Sequence, residues 1–282
     1  MKYPHGIQSK LQQRKEKKSL RSLSVNAEGI DFYSNDYLGL AKSKTIYTEA
    51  IQLLKKKNLE VNSATGSRLI SGNTHFHEEV EAQIAKFHQA ETALLFNSGY
   101  DANVGFFSSV PQRGDVVFYD ELIHASIRDG LQMSLAKTYK FKHNNLNELK
   151  RKVDKLTTSG DIFIVTESVF SMDGDTPDLE KLVNYCSRRN VFLIVDEAHA
   201  LGVFGSRGEG VIQQQNLQDK VFARIMTFGK GLGAHGAAVI GNAQLKEFLI
   251  NFARSFMYTT AISPHAVATI SSAYQVLESS SA

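Results

Sequence analysis

The sequence predicts an α/β fold in which a mostly parallel sheet is covered by helices on both faces. Short apolar runs alternate along the chain with amphipathic segments of helical period, which is the pattern of β-α-β units. The chain has 282 residues, 42% of them hydrophobic, so it is long and apolar enough to bury a sizeable core.

The elements are predicted in two parts, an N-terminal helix and arm over residues 1–40 and a large domain over residues 41–282. The arm begins with a basic amphipathic helix that we expect to face water. The alternative is that its basic residues bind an anionic ligand. Six strands are predicted in the large domain, at 92–98, 115–120, 161–168, 191–199, 224–230 and 236–241. Helices are predicted at 77–88, from 100 onward, at 145–156, at 177–190 and after the Ser-Pro pair at 263–264.

Composition argues against several classes of protein. The 32 Lys and Arg against 29 Asp and Glu leave a formal charge of +3, which does not indicate a nucleic-acid or membrane surface. The single cysteine, Cys186, excludes a disulfide framework and favours a reducing cytoplasm. No apolar run is long enough to span a membrane, and the N-terminus lacks the apolar stretch of a signal peptide. We therefore expect a cytoplasmic protein without nucleic-acid or membrane partners.

Polar side chains follow the strand "VFLIVDEAH", where Asp196, Glu197 and His199 stand at its end. In open α/β sheets, ligands bind beyond the carboxyl ends of the strands. An acid there can hold a cation or a protonated ring nitrogen, and the histidine can stack or hydrogen-bond beside it. A nucleotide-driven "DEAH" motor would also need a phosphate loop, G-x-x-x-x-G-K-[ST], which the sequence lacks. A loop acid that caps a helix is the structural alternative.

Three further strand ends carry weaker signals. The turn at Ser98-Gly99 leads into a helix N-terminus, which favours an anion such as phosphate, although Ser-Gly also serves ordinary turns. The hydroxyl of Ser171, in "SVFSMDGD", is suited to a phosphate or a phenolic oxygen, or simply to the turn. His124 follows a strand, and alone it is more often a structural histidine than a catalytic one.

Lys230 lies among glycines in "TFGKGLGAHGAAVIG". A dinucleotide fingerprint is not favoured, because "GAAVIG" predicts a strand and residues 251–256 contain no acid. Burial lets a lysine lose its proton and act as a nucleophile, and glycines leave room for a flat ring. The lysine, an acid, a histidine and a phosphate turn are together the parts needed to hold pyridoxal 5′-phosphate.

The ordered motifs resemble those of the α-oxoamine synthases, pyridoxal-phosphate enzymes of the fold-type I aminotransferase class. They are "FYSNDYLGLA", "TGSRLISGNTHFHEEVE", "LLFNSGYDAN", "DELIHASIRDG", "TESVFSMDGD", "VDEAHALGVFG", "TFGKGLG" and "FMYTTAISP". The resemblance implies that an amino acid condenses with an acyl thioester and loses carbon dioxide. The nearest branch implies L-alanine with pimeloyl-CoA or pimeloyl carrier protein, in biotin synthesis.

The resemblance also implies residue roles. Lys230 would bond the cofactor and remove the α-proton, Asp196 would pair with the ring nitrogen, His124 would stack on the ring and His199 would bond the phenolic oxygen. Further cofactor contacts would come from Gly99, Tyr100, Ser171 and Thr227. No metal is implied.

Substrate and subunit contacts are implied as well. Asn35 and Arg21 would reach the substrate, and Thr259 and Thr260 would reach the phosphate of a neighbouring subunit, which implies a homodimer. Family members continue into a small C-terminal domain, and we expect that domain to be missing from this sequence. The alternatives are a sister α-oxoamine synthase, such as a 2-amino-3-ketobutyrate CoA ligase or a serine palmitoyltransferase-like enzyme, and a truncated homologue that binds cofactor without catalysis.

Overall fold

The computed structural model describes residues 3–23, 25 and 29–279. They belong to two compact units, Met1–Ser34 and Asn35–Ala282. The first unit contains helix α1, His5–Glu16, which has basic residues in its last turn and no buried residue. Helix α1 lies within the basic N-terminal segment, where the sequence predicts a helix.

The larger unit alternates strands and helices along the chain. Its helices are α2 Lys44–Lys56, α3 His75–Phe87, α4 Gly99–Ser109, α5 Ala125–Met133, α6 Leu146–Asp154, α7 Leu179–Arg189, α8 Val211–Gln214, α9 Ala243–Phe252, α10 Arg254–Met257 and α11 Pro264–Ser279. Its strands are β1 Thr92–Phe96, β2 Val116–Asp120, β3 Lys137–Phe141, β4 Ile162–Glu167, β5 Phe192–Asp196, β6 Ala223–Thr227 and β7 Ala237–Gly241. Short 3₁₀ turns span Leu40–Lys42 and Gln218–Lys220.

The seven strands form one sheet in the order β1-β7-β6-β5-β4-β2-β3. The five strands from β6 to β3 run parallel to one another, whereas β7 is antiparallel to both β6 and β1. The predicted mostly parallel sheet is therefore confirmed. The carboxyl ends of β4, β5 and β6 meet at one edge of the sheet, and this edge positions the site.

Helices cover both faces of the sheet, as predicted. Side chains alternate along each strand, so that Leu95 packs with α2, α3 and α11 on one face. Its neighbours Leu94 and Phe96 pack with α4, α5 and α9 on the other face. A third cluster places α6 and α7 against the β2–β5 half of the sheet. Both faces of the central strands are buried, which explains why these strands are nearly continuous apolar runs.

Strand β3 was not predicted from the sequence. It lies at the edge of the sheet and pairs with β2, and four of its five residues are exposed. Its sequence "KTYKF" therefore contains little of the apolar signal that identifies a buried strand. Among the residues that the structure describes, no helix combines the length and the apolar character needed to cross a bilayer.

Candidate active site

Asp196 stands at the carboxyl end of β5 and is 4% exposed. Its Oδ1 accepts a hydrogen bond from the backbone N–H of Ala198 at 2.9 Å. Its Oδ2 accepts one from Nδ2 of Asn103, on α4, at 3.0 Å. The two donors fix the orientation of the carboxylate.

Two buried side chains connect this carboxylate to His124. Asn103 Nδ2 also lies 3.0 Å from Ser126 Oγ, which in turn lies 2.7 Å from His124 Nδ1. His124 caps α5, and the backbone N–H of Ser126 donates to the same Nδ1 at 3.2 Å. Two donors therefore point at Nδ1, which makes it an acceptor and leaves the proton of a neutral ring on Nε2.

Lys230 follows the end of β6, and its Nζ lies 2.7 Å from Nε2 of His199. Burial lowers the pKa of Lys230, and the carboxylates of Asp196 and Glu167 offset part of this effect. The pKa of His199 falls to about 4, first because of burial and then because a positive charge on neighbouring Lys230 or His124 disfavours a second cation. The His199 ring is therefore neutral at pH 7, and its Nε2 accepts from the lysine.

The other nitrogen of His199 contacts a tyrosine from the start of the large unit. Tyr37 Oη lies 2.6 Å from His199 Nδ1 and 3.1 Å from Oδ1 of Asn35. With Nε2 acting as an acceptor, Nδ1–H donates to the tyrosine oxygen, and the tyrosine O–H donates to Asn35. Asn35 thus lies at the end of a hydrogen-bonded line that begins at Lys230.

The turn from β1 into α4 lies beside the end of β6. A Cβ atom built on Gly99 would overlap Oγ1 of Thr227, so a glycine is required for this close approach. The first amides of a helix have no carbonyl partner within the helix, and the helix dipole favours an anion at that end. The Thr227 hydroxyl beside this helix end completes a donor set suited to a phosphate group.

This arrangement fits pyridoxal phosphate. A phosphate needs backbone and hydroxyl donors, a protonated ring nitrogen needs a fixed carboxylate, and a Schiff base needs a lysine with a lowered pKa. Gly99 with Thr227, Asp196 and Lys230 supply these features from the ends of neighbouring elements.

The other predicted residues are exposed or make contacts of another kind. Tyr100 is half exposed, and its Oη donates to Oδ2 of Asp129 at 2.7 Å. Ser171 lies on an exposed loop after β4. Arg21 is exposed in the N-terminal unit. The roles of these three residues stay predictions.

Thr259 and Thr260 lie beside the turn that carries Gly99. Asn97 Nδ2 donates to Oγ1 of Thr259 at 3.1 Å and to the carbonyl oxygen of Thr260 at 2.9 Å. The asparagine therefore holds both threonines next to the β1–α4 turn of their own chain. Their predicted reach toward a second subunit stays a prediction.

Sequence reasoning missed four residues of the site: Tyr37, Asn103, Ser126 and Glu167. Glu167 ends β4, pairs in register with Asp196, and accepts the backbone N–H of His124 at 2.6 Å. Burial and then the charge of Asp196 raise the pKa of Glu167 to about 8. The position of Glu167 at the end of a strand could have identified it from the sequence. Asn103 and Ser126 are polar residues in helices, and Tyr37 lies near the N-terminus, so none of these three is distinctive in the sequence alone.

A family model for aminotransferase class I and II matches residues 27–281. The chain belongs to that family. It is 42% identical over 287 residues to an 8-amino-7-oxononanoate synthase of Emericella nidulans, a match that covers 96% of this chain and 70% of the relative. The predicted resemblance to the α-oxoamine synthases is therefore confirmed.

Two solved structures agree with this assignment. A serine palmitoyltransferase of S. paucimobilis with bound pyridoxal phosphate and myriocin has a TM-score of 0.86 at 26% identity, covering 98% of this chain and 74% of its own. An 8-amino-7-oxononanoate synthase of Francisella tularensis has a TM-score of 0.74 at 33% identity, covering 89% and 69%. The fold-type I architecture is thereby confirmed.

Proposed function

We propose that this chain is a pyridoxal-phosphate-dependent acyltransferase that condenses L-alanine with a pimeloyl thioester, with loss of carbon dioxide. One observation carries the proposal. Lys230, with its lowered pKa, and the fixed carboxylate of Asp196 converge beside the Gly99–Thr227 phosphate turn. The relatives named 8-amino-7-oxononanoate synthase support this choice of substrates and a role in biotin synthesis.

When bound, pyridoxal phosphate supplies an electron-withdrawing ring that stabilises negative charge on the α-carbon of the amino acid. Asp196 would accept the N–H of the ring, and Asn103 with the Ala198 amide keeps this carboxylate oriented. His124 is fixed by Ser126 and the Glu167 carboxylate for stacking. The amides of Gly99 and Tyr100 with the Thr227 hydroxyl would bind the phosphate.

Lys230 has two tasks, to bond the cofactor and to move the α-proton. Its lowered pKa favours the free amine that both tasks require. His199 is neutral with its proton on Nδ1, so its Nε2 would accept a hydrogen bond from Lys230, or from a phenolic hydroxyl after the lysine moves away. The Tyr37 hydroxyl sets which His199 nitrogen carries the proton.

The reaction balances with these groups. The amino acid loses its α-proton to Lys230, and its α-carbon bonds the acyl carbon while the thiol leaves. Its carboxylate then departs as carbon dioxide, and a proton returns to the same carbon. We further propose that the enzyme is a cytoplasmic homodimer, with Thr259 and Thr260 near the subunit boundary.

Pyridoxal phosphate, sodium borohydride and Lys230→Ala test the proposal together. Wild-type protein should develop a visible absorption band, and borohydride should then attach the cofactor permanently to Lys230, as peptide mass spectrometry would show. Lys230→Ala should retain no covalent cofactor, whereas the matched surface variant Lys181→Ala should behave like wild type. Labelling at another lysine would refute the assignment.

Substrate assays separate this proposal from a sister activity. L-alanine with pimeloyl-CoA should release free thiol and carbon dioxide faster than serine or glycine with any acyl-CoA. A preference for serine and palmitoyl-CoA would favour the serine palmitoyltransferase reaction, to whose enzyme the fold is also similar. Cofactor binding without turnover of any pair would contradict the acyltransferase proposal.

A further inference from the structure

His143 lies after β3 with both ring nitrogens against carboxylates. Its Nδ1 is 2.9 Å from Oδ1 of Asp120, and its Nε2 is 2.8 Å from Oδ2 of Asp175. Asp120 is completely buried at the end of β2. Nδ2 of Asn144 also lies 3.1 Å from Nε2. A neutral imidazole would place one nitrogen lone pair against a carboxylate oxygen, so the two carboxylates favour a ring with both nitrogens protonated.

Each carboxylate belongs to a different loop at the carboxyl edge of the sheet. Asp120 Oδ1 also accepts the backbone N–H of Leu122 at 2.9 Å, so it shapes the short loop that leads to His124. Asp175 closes the loop that bears Ser171, because its carbonyl oxygen accepts the N–H of Phe170 at 3.0 Å. His143 is thus the connection between these two loops.

Neighbouring groups strengthen the connection. Asn144 donates its backbone N–H to Asp120 Oδ2 at 2.8 Å and its Nδ2 to Asp175 Oδ2 at 2.6 Å. The buried ring of Phe170 meets the His143 ring edge-on, with centroids 4.5 Å apart. The Ser171 loop is therefore anchored on both sides of the serine, at Phe170 and at Asp175.

We propose that His143 is a positioning residue, which in its charged form ties the Ser171 loop, Phe170–Asp175, to the loop that carries His124. The functional part of this inference rests on the proposed function, because Ser171 is expected to contact the bound cofactor. The structural part, a charged imidazole that holds two loops together, stands on the contacts of this chain alone.

Electrostatics agrees with the geometry. Burial lowers the pKa of His143, but hydrogen bonds and charge interactions with Asp120 and Asp175 outweigh it, so the pKa is raised overall. A third acid, Glu121, contacts the backbone of His143 rather than its ring: its carboxylate accepts the His143 backbone N–H at 3.1 Å. A raised pKa keeps the imidazole charged to higher pH than a free histidine, and the connection weakens as pH rises through that pKa.

The first experiment uses the chain without added cofactor. Nitrogen-15 NMR of the imidazole should show both His143 nitrogens protonated at pH 7, with the signal assigned by its absence in His143→Gln. Asp175→Asn should shift the His143 titration to lower pH, because one anionic partner is lost. Single protonation at pH 7, or no shift in Asp175→Asn, would overturn the proposal.

Hydrogen exchange measures the connection itself. The amides of Phe170 and Gly174 bond within the Ser171 loop, and both should exchange about tenfold faster in His143→Gln. Asp175→Asn, at a half-exposed position, gives the same test if His143→Gln fails to fold. The surface variant His75→Gln is the matched control and should leave both amides unchanged. Exchange rates equal to those of wild type in both His143→Gln and Asp175→Asn would contradict the proposal.

Cofactor binding then tests the functional part. The dissociation constant of pyridoxal phosphate should rise about tenfold in His143→Gln, and in wild type it should rise with pH over the range in which His143 titrates. A wild-type chain that binds no pyridoxal phosphate would refute the proposed function. The NMR and exchange results would still decide whether a charged His143 holds the two loops together. If His143→Gln exchanges the loop amides faster but binds pyridoxal phosphate as tightly as wild type, the functional part of the proposal, that His143 positions the Ser171 loop for the cofactor, would be refuted.

Discussion

Replacing Glu167 by glutamine should change how the stability of this chain depends on pH. Glu167 is 4% exposed at the end of β4 and lies opposite Asp196 in the sheet register. Burial and the neighbouring carboxylate raise its pKa from 4.5 to about 8. The folded chain therefore keeps a proton at pH 7 that the unfolded chain has already released.

The sign and size follow from linkage. Because the folded-state pKa is the higher one, the contribution of Glu167 to stability is complete below about pH 4.5 and declines as pH rises through about 8. Each pH unit in this window costs about 1.4 kcal/mol, so wild type should lose about 2 kcal/mol between pH 6 and pH 8 from this group. Glutamine does not titrate, and its carbonyl oxygen can still accept the His124 N–H.

Urea denaturation of cofactor-free wild type and Glu167→Gln at pH 6, 7 and 8 is the assay. The difference in unfolding free energy should move in favour of the variant by about 2 kcal/mol across that range. Glu180→Gln, the same substitution at an exposed position on α7, is the matched control. A difference that stays constant with pH, or that moves in favour of wild type, would refute a protonated Glu167.

Three further substitutions test the site. Gly99→Ala should destabilise the chain by about 1 to 3 kcal/mol in urea, because its Cβ would overlap Thr227, and adding Thr227→Ala should restore most of that loss. Tyr37→Phe should lower kcat about tenfold in the acyltransfer assay by removing the partner of His199 Nδ1, and an unchanged kcat would contradict that role. Asn103→Ala should cost about 2 kcal/mol of stability in urea, since it removes a buried donor to a carboxylate.

The sequence predicted those parts of the site that follow strong strand signals. Asp196 and Thr227 stand at the ends of buried apolar runs, and Lys230 and His199 follow within three residues. A parallel sheet brings such ends together whatever the details of packing. The position of these residues was therefore predictable, although their hydrogen-bond partners were not.

The partners depend on contacts between distant parts of the chain. Tyr37 reaches His199 across 162 positions, and Asn103 reaches Asp196 across 93. Neither residue has a local pattern that distinguishes it from a surface tyrosine or an ordinary helix residue. Strand β3 was missed for a related reason, because its exposed edge position removes the apolar signal on which strand prediction depends.

Two acids end neighbouring strands here, and burial, followed by the charge of Asp196, raises the pKa of Glu167 to about 8. Asp196 accepts hydrogen bonds from Asn103 and from the Ala198 amide, and Glu167 accepts the backbone N–H of His124. A proton on Glu167 removes the negative charge of that side chain from the site. It also reduces the attraction that would otherwise keep Lys230 protonated, since both carboxylates oppose the effect of burial on that lysine. The site therefore combines an acid oriented by two hydrogen bonds with a lysine of lowered pKa, while the second acid keeps its proton at pH 7.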